Sequence, residues 1–209
     1  MDWQLDAVEV RVLGALLEKE IATPEYYPLS LNALVNACNQ KSNREPVVAF
    51  DDATVEEALG SLRAKGLATR ITGDSRVPKH AQRFTEQFNL GRREAALLCV
   101  LMLRGPQTIG ELRGRSERLY SFDGLEAVES TLHRLAEMGF TKELPRLAGS
   151  REPRHAHLLA GDLEAAPAVA EPVPSSTGNG LSLAERVATL EQRLEETVRA
   201  FEEFRKKFE

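Results

Sequence analysis

Cysteine is scarce in this chain, with only Cys38 and Cys99 among 209 residues. That excludes a disulfide scaffold and any cysteine-rich zinc module. Both cysteines fall inside apolar helical patterns, where buried, reduced thiols are expected. Long hydrophobic runs are also missing. The longest, Ala95 to Leu103, falls well short of the about 20 residues a spanning helix needs, so no membrane partner is expected. The start, Met1-Asp2-Trp3-Gln4, lacks the basic-then-apolar layout of a secretory leader, which makes the cytoplasm the expected location. No Gly-x-Ser-x-Gly elbow, phosphate loop, dinucleotide fingerprint or metal-ligand spacing occurs, so the reading is of a protein that is not an enzyme and carries no cofactor or metal.

A basic surplus is missing too. Lys and Arg number 27 against 32 Asp and Glu, a net charge of −5. Residues 1–89 carry 10 basic and 13 acidic side chains, residues 90–160 carry 11 and 9, and residues 161–209 carry 6 and 10. Tight non-specific DNA binding rests on phosphate neutralisation, and no segment has the charge for it.

What is present is repetition. Ser75-Arg76-Val77-Pro78-Lys79-His80-Ala81 returns 75 residues later as Ser150-Arg151-Glu152-Pro153-Arg154-His155-Ala156. A long internal period means a duplicated module. Each copy predicts three helices followed by a hairpin. In the first, apolar residues from Leu5 to Leu17 mark a helix that Thr23-Pro24 ends, and Ser30 caps a short second helix over Leu31 to Cys38. Asp52 or Thr54 caps the third, which Gly66 closes, and the strand from Leu67 to Ile71 pairs with a return from Arg76 to Phe84. The second copy has a helix over Arg93 to Leu103, a Thr108/Glu111 capping box, and a third helix lined by Leu125, Val128, Leu132 and Leu135 and closed by Gly139. This order describes a winged helix-turn-helix.

The fold class read from the chain is therefore α+β: mainly helical, with small β-hairpin wings, built as two tandem winged helix-turn-helix domains plus a C-terminal coiled-coil helix. The first domain covers 1–89 and the second 90–160. Residues 161–181 form a flexible Ala/Pro/Ser/Gly linker, and 182–209 carry a heptad seam from Leu183 to Phe208 that predicts a coiled coil and hence a homo-oligomer. Docking of that helix onto its own chain is the competing reading.

Several stretches carry a family resemblance: Thr23-Pro24-Glu25 with Tyr27-Pro28-Leu29-Ser30, the long run Ala37-Cys38-Asn39-Gln40-Lys41-Ser42-Asn43-Arg44, then Arg104-Gly105-Pro106-Gln107-Thr108 and Gly110-Glu111-Leu112-Arg113. Across residues 5–160 the chain resembles the YceH family of bacterial proteins. The resemblance implies tandem winged-helix domains and supplies no activity. Members often have tyrosine where this chain has His80 and His155, which speaks against imidazole chemistry there.

Two readings of function stand side by side. Winged helices commonly place the third helix in the major groove and the wing on the backbone. Here Asp51 to Lys65 has four acidic and two basic residues, and Asp123 to Met138 has four and one, so phosphates would repel both. The candidate contacts to DNA or RNA lie elsewhere: Asn39, Gln40, Lys41, Asn43 and Arg44 in the polar loop, Arg76, Lys79 and Arg83 on the first wing, Arg151 and Arg154 on the second, and Arg113 on a short helix that also bears Arg115 and Arg118. The alternative is a protein-interaction scaffold that uses its acidic third helices and does not bind DNA. For the wing arginines themselves the competing reading is structural: Arg76 and Arg151 pair with acidic residues of their own helices and fix the wing.

Overall fold

The structure, a computed structural model, describes residues 4–72, 77–146, 149 and 152–161. The linker, apart from Gly161, and the heptad segment 182–209 lie outside the described residues, as do Arg76 and Arg151.

The chain begins with α1 (Ala7–Ala22), started by an Asp6/Glu9 capping box and ended ahead of Pro24. A two-residue strand β1 (Leu29–Ser30) leads into α2 (Leu31–Cys38), where the Ser30 hydroxyl accepts from the Ala33 amide. After the irregular stretch 39–51 comes α3 (Asp52–Ala64). Its cap is Asp51, not Asp52 or Thr54: the Asp51 carboxylate accepts from the Thr54 amide at 2.8 Å, which puts Thr54 inside the first turn. Gly66, at φ +74°, takes the left-handed position that closes this helix. The strands β2 (Ala68–Ile71) and β3 (Lys79–Gln82) follow, paired from Ala68↔Gln82 to Ile71↔Lys79, with β1 on the far side of β3.

The returning strand is shorter than expected. It stops at Gln82 because that side chain accepts from the Thr85 amide at 3.0 Å and starts a one-turn helix, α4 (Phe84–Gln87). Then α5 (Arg92–Arg104), α6 (Ile109–Ser116) and α7 (Leu125–Glu137) repeat the order of the first three long helices, and β4 (Thr141–Leu144) and β5 (Arg154–His157) form the second hairpin. Thr108 and Glu111 close their capping box, and Gly139 at φ +77° does for α7 what Gly66 does for α3. The copies agree in detail. Leu67 N–H donates to Leu62 O and Phe140 N–H to Leu135 O, both at 2.8 Å. The first hairpin carries β1 as a third strand at Leu29↔His80, whereas Gln107↔His155 is a single bridge in the second. The class is thus α+β, with small antiparallel sheets.

Residues from both copies fill one core. The helices α1 and α5 pack together. A Cβ on Gly14 would lie 3.0 Å from Leu103 Cδ2 and 3.1 Å from Met102 Cβ, so glycine gives the two helices a close approach that any side chain would crowd. Phe84 and Phe88 meet Phe140 edge-on, with centroids 5.5 and 5.1 Å away. Burying such rings supplies a large share of core energy. Both cysteines are free and buried, and burial pushes the Cys38 thiol up to about 12, so neither is a reactive thiolate at neutral pH. Among the described residues no helix is long and apolar enough to cross a membrane.

Candidate nucleic-acid interface

The polar stretch 39–46 lacks regular structure, and side chains hold it instead. The Asn39 amide mimics a strand neighbour toward Phe50, donating to its carbonyl at 2.7 Å and accepting from its N–H at 2.8 Å. From α1, Arg11 reaches Cys38 O at 3.1 Å and Pro46 O at 2.5 Å. The centre of the arrangement is Arg44. Its Nη2 lies 2.5 Å from Glu18 Oε2 and its Nη1 3.1 Å from Oε1, a two-pronged pair in which both side chains are completely buried. Its remaining donors go to the carbonyls of Ala37 and Asn43 and to Gln40 Oε1.

This is a correction to the sequence reading. Arg44 has no free edge for a phosphate, because a buried guanidinium must be matched inside and here it is. Burial pushes the Glu18 carboxyl up, but the hydrogen bond and charge of Arg44, with Arg118 and Lys19, outweigh it and hold the group below the ordinary carboxylate value.

The other sequence-predicted residues scatter. Lys41 is exposed on the loop; Asn39, Gln40 and Asn43 are half-buried beside it. Lys79 is exposed at the start of β3, and Arg83 pairs with Glu86 at 3.0 Å. Arg154 is half-buried and donates to the Pro106 carbonyl, which fixes β5 to the turn after α5. Arg113 is exposed on α6, its Nε 3.4 Å from Phe122 O. Among the described wing residues, Arg83 and Arg154 are engaged within the fold, while Arg70, Lys79 and Arg146 are exposed.

What the structure does bring together is Asn43, Arg104, Arg115 and Arg118. They line one narrow, solvent-open pocket with Glu18, Cys99, Val100, Leu103 and Leu119. The loop docks here because Glu45 N–H donates to the last-turn carbonyl of Leu103 at 2.8 Å. Arg104 Nη1 donates to Asn43 Oδ1 at 3.3 Å. Arg115 donates to Oε1 of the fully buried Gln107 at 2.8 Å and faces Glu111 at 3.1 Å. Arg118, almost half exposed, donates to the buried Glu18 carboxylate. Burial, then the charges of Arg115 and Arg118, pull the Arg104 guanidinium below its ordinary value: like charges are crowded here. Arg115 and Arg118 stood out in the sequence only as charges on a short helix, and Arg104 as part of the family stretch. Their convergence depends on how α5 and α6 pack against the loop, which no local pattern reports.

The histidines are placed differently. His80 is buried in β3, the middle strand of the first sheet, and His155 in β5 of the two-stranded second hairpin; among the described residues His80 Nδ1, His155 Nε2 and His157 Nδ1 are buried without a hydrogen-bond partner. Burial lowers all three, His157 to about 4. Among the described residues no group of His, Cys, Asp and Glu is arranged to hold a metal ion.

Comparison with known proteins follows the same outline. A family described as "Protein of unknown function, DUF480" matches residues 5–150. A UPF0502 protein of Solibacter usitatus is 68% identical over 209 residues, covering all of both chains. Its counterpart in Koribacter versatilis is 50% identical over 195 residues, 92% of this chain and 89% of that one, and one in Opitutus terrae is 50% identical over 190 residues, 89% and 83%. With the matched region spanning both copies of the repeat, the chain belongs to the DUF480, or UPF0502, family of bacterial proteins.

Proposed function

We propose that this is a non-enzymatic tandem winged-helix protein that associates with nucleic acid, in a regulatory capacity, through phosphate contacts at the seam between the polar loop and α6. The observation that carries this reading is the set of Arg104, Arg115 and Arg118 beside the loop, each held by a fixed acceptor. Pre-ordered guanidinium forks suit phosphate recognition, since little side-chain entropy remains to be lost. Two successive units of three helices and a hairpin support the winged-helix assignment. The third helices stay away from the backbone in this proposal. The exposed positions of α3 include Asp52 and Glu57, and those of α7 include Glu126, Glu129 and Glu137. Contacts of this kind position a protein on nucleic acid and carry little sequence information. A homo-oligomer formed through residues 182–209 would raise the effective concentration of the second unit.

Anisotropy titration of duplex and single-stranded DNA and RNA at several salt concentrations tests the proposal. Binding to duplex DNA should weaken with salt at a log-log slope of about −0.9 per neutralised phosphate, and no binding to any of these even at low salt would remove the reading. Light scattering of the full chain and of one ending at Ala160 tests the oligomer, and two monomers would dismiss the coiled coil.

One observation favours a second reading, a protein-interaction scaffold. Leu125 at the start of α7 is 51% exposed and stands beside Glu126 and Glu129. That combination suits a partner with a basic, partly apolar surface. Saturable, salt-sensitive binding of a basic amphipathic peptide, lost in Leu125→Ser, would support it.

A further inference from the structure

We propose that Arg104, Arg115 and Arg118, with Asn43, form a discrete site for one phosphate group at the seam between the two copies. The inference rests on the phosphate-contacting reading of that face and narrows it to three side chains and one ligand chemistry.

The charges at the seam do not cancel. Glu18 is already matched by Arg44, which holds both of its oxygens from inside. Arg118 draws on the same carboxylate from outside, so it is a cation in excess of the pair. Arg115 is offset by Glu111 at 3.1 Å, and among the described residues Arg104 has only the amide oxygen of Asn43 as its side-chain hydrogen-bond partner, with the more remote influence of Glu45 and Glu111. Placing three guanidinium groups around one pocket mouth is costly unless something negative completes them.

Their geometry is fixed from behind. Gln107 is fully buried, donates its amide to Val100 O at 3.3 Å and Gly105 O at 3.0 Å, and so presents its oxygen to Arg115. Glu18 is locked by Arg44, and Asn43 by its place on the docked loop, where it adopts φ 59°. Arg104 is held through Nη1 and Arg118 through Nη2, whereas Arg115 uses Nη1 on Gln107 and Nη2 on Glu111; Arg115 and Arg118 still keep about a third and almost half of their side chains exposed. The pocket is too narrow to engulf a ligand, so the anion sits at its mouth, with tetrahedral oxygens facing the three forks. Neither copy holds the site alone: Glu18 and Asn43 come from the first, and Arg104, Arg115 and Arg118 from the second.

A backbone phosphate of nucleic acid and a free phosphorylated small molecule share this chemistry, and one experiment separates them. The full chain, 15N-labelled in a phosphate-free buffer, is titrated with inorganic phosphate, and the arginine Nε–Hε resonances are followed, with sodium chloride at matched ionic strength as control. Saturable shifts confined to Arg104, Arg115 and Arg118 are expected, with affinity reduced about tenfold or more in Arg104→Gln/Arg115→Gln. The absence of shifts, or equal shifts at exposed arginines such as Arg70 and Arg93, would overturn the site, and this readout on the unmodified chain does not depend on a variant folding.

The second arm adds a DNA duplex and a single strand. Displacement of phosphate by either supports the backbone source. Phosphate binding with no oligonucleotide binding keeps the site, assigns it to a free phosphorylated ligand and defeats the nucleic-acid reading. Oligonucleotide binding that the double variant leaves unchanged, with no phosphate shifts, defeats the site and leaves that reading standing.

Discussion

Between α2 and α3 the first copy runs through residues 39–51 and is pinned by Arg44 on Glu18, two buried charges. Between α6 and α7 the second copy needs only residues 117–124, where Tyr120 and Phe122 pack edge-on at 4.8 Å and Arg93 covers the Tyr120 ring at 5.5 Å. The hairpins, the closing glycines and the order of helices agree, so the copies diverged mainly in how this connection is held. Both connections reach the other copy, the longer through Glu45 on Leu103 and Asn43 on Arg104, the shorter through Arg118 on Glu18. The side chains proposed to contact phosphate gather beside these connections, where loop residues are less committed to packing than the shared skeleton.

The contrast is sharpest in the ion pairs. Glu18→Ala strands Arg44 in the interior and should cost about 3–5 kcal/mol by chemical denaturation. A loss below that range would mean the first connection is no more dependent on charge than the second.

Acid comes next. Buried neutral histidines have folded-state values below the unfolded 6.5, so the unfolded chain binds more protons and stability falls as pH drops below about 6.5. For His157, with a folded value of about 4, the full loss on reaching that pH is as much as about 3 kcal/mol. Glu9 and Glu18 are lowered from 4.5, so their contribution is present above that value and is lost only as pH falls beneath it. Denaturation at pH 7.5 and at pH 5 isolates the histidines. His157→Gln should reduce the difference, and an unchanged difference would clear His157 of it.

Glycines give a smaller test. Gly14→Ala forces a methyl against Leu103 and Met102 and should cost about 1–3 kcal/mol. Gly114→Ala in α6 meets nothing within 4 Å and should gain up to about 1 kcal/mol from helix propensity. Equal effects would contradict the close crossing of α1 and α5. Smallest is Arg134→Ala, whose partner Glu94 lies 3.1 Å away while Arg134 itself is 59% exposed; its cost should stay under about 1 kcal/mol.

Much of the fold was legible because its signals are local. The caps at Ser30 and Thr108, the stops at Gly66 and Gly139, and the offset that grows from 73 at Ala68/Thr141 to 75 at Lys79/Arg154 depend on neighbours in sequence. The α4 turn was missed because its start lies in one side chain, Gln82, bonding to Thr85. The candidate site was far less legible. Composition shows Arg44 and Arg104 as equal charges, yet one is buried against Glu18 and the other lines the pocket. Which arginine finds an interior carboxylate is decided by contacts across 26 residues for Arg44 and 100 for Arg118.

The central claim is that the seam, and not the wings, meets phosphate. Salt-dependent titration of one DNA duplex with the full chain, with Arg104→Gln/Arg115→Gln and with Arg70→Gln/Lys79→Gln compares the two surfaces directly. The account predicts that the seam variant reduces the magnitude of the log-log slope by about 0.9 for each lost phosphate contact and that the wing variant leaves it unchanged. A slope reduced by the wing variant and untouched by the seam variant would contradict it.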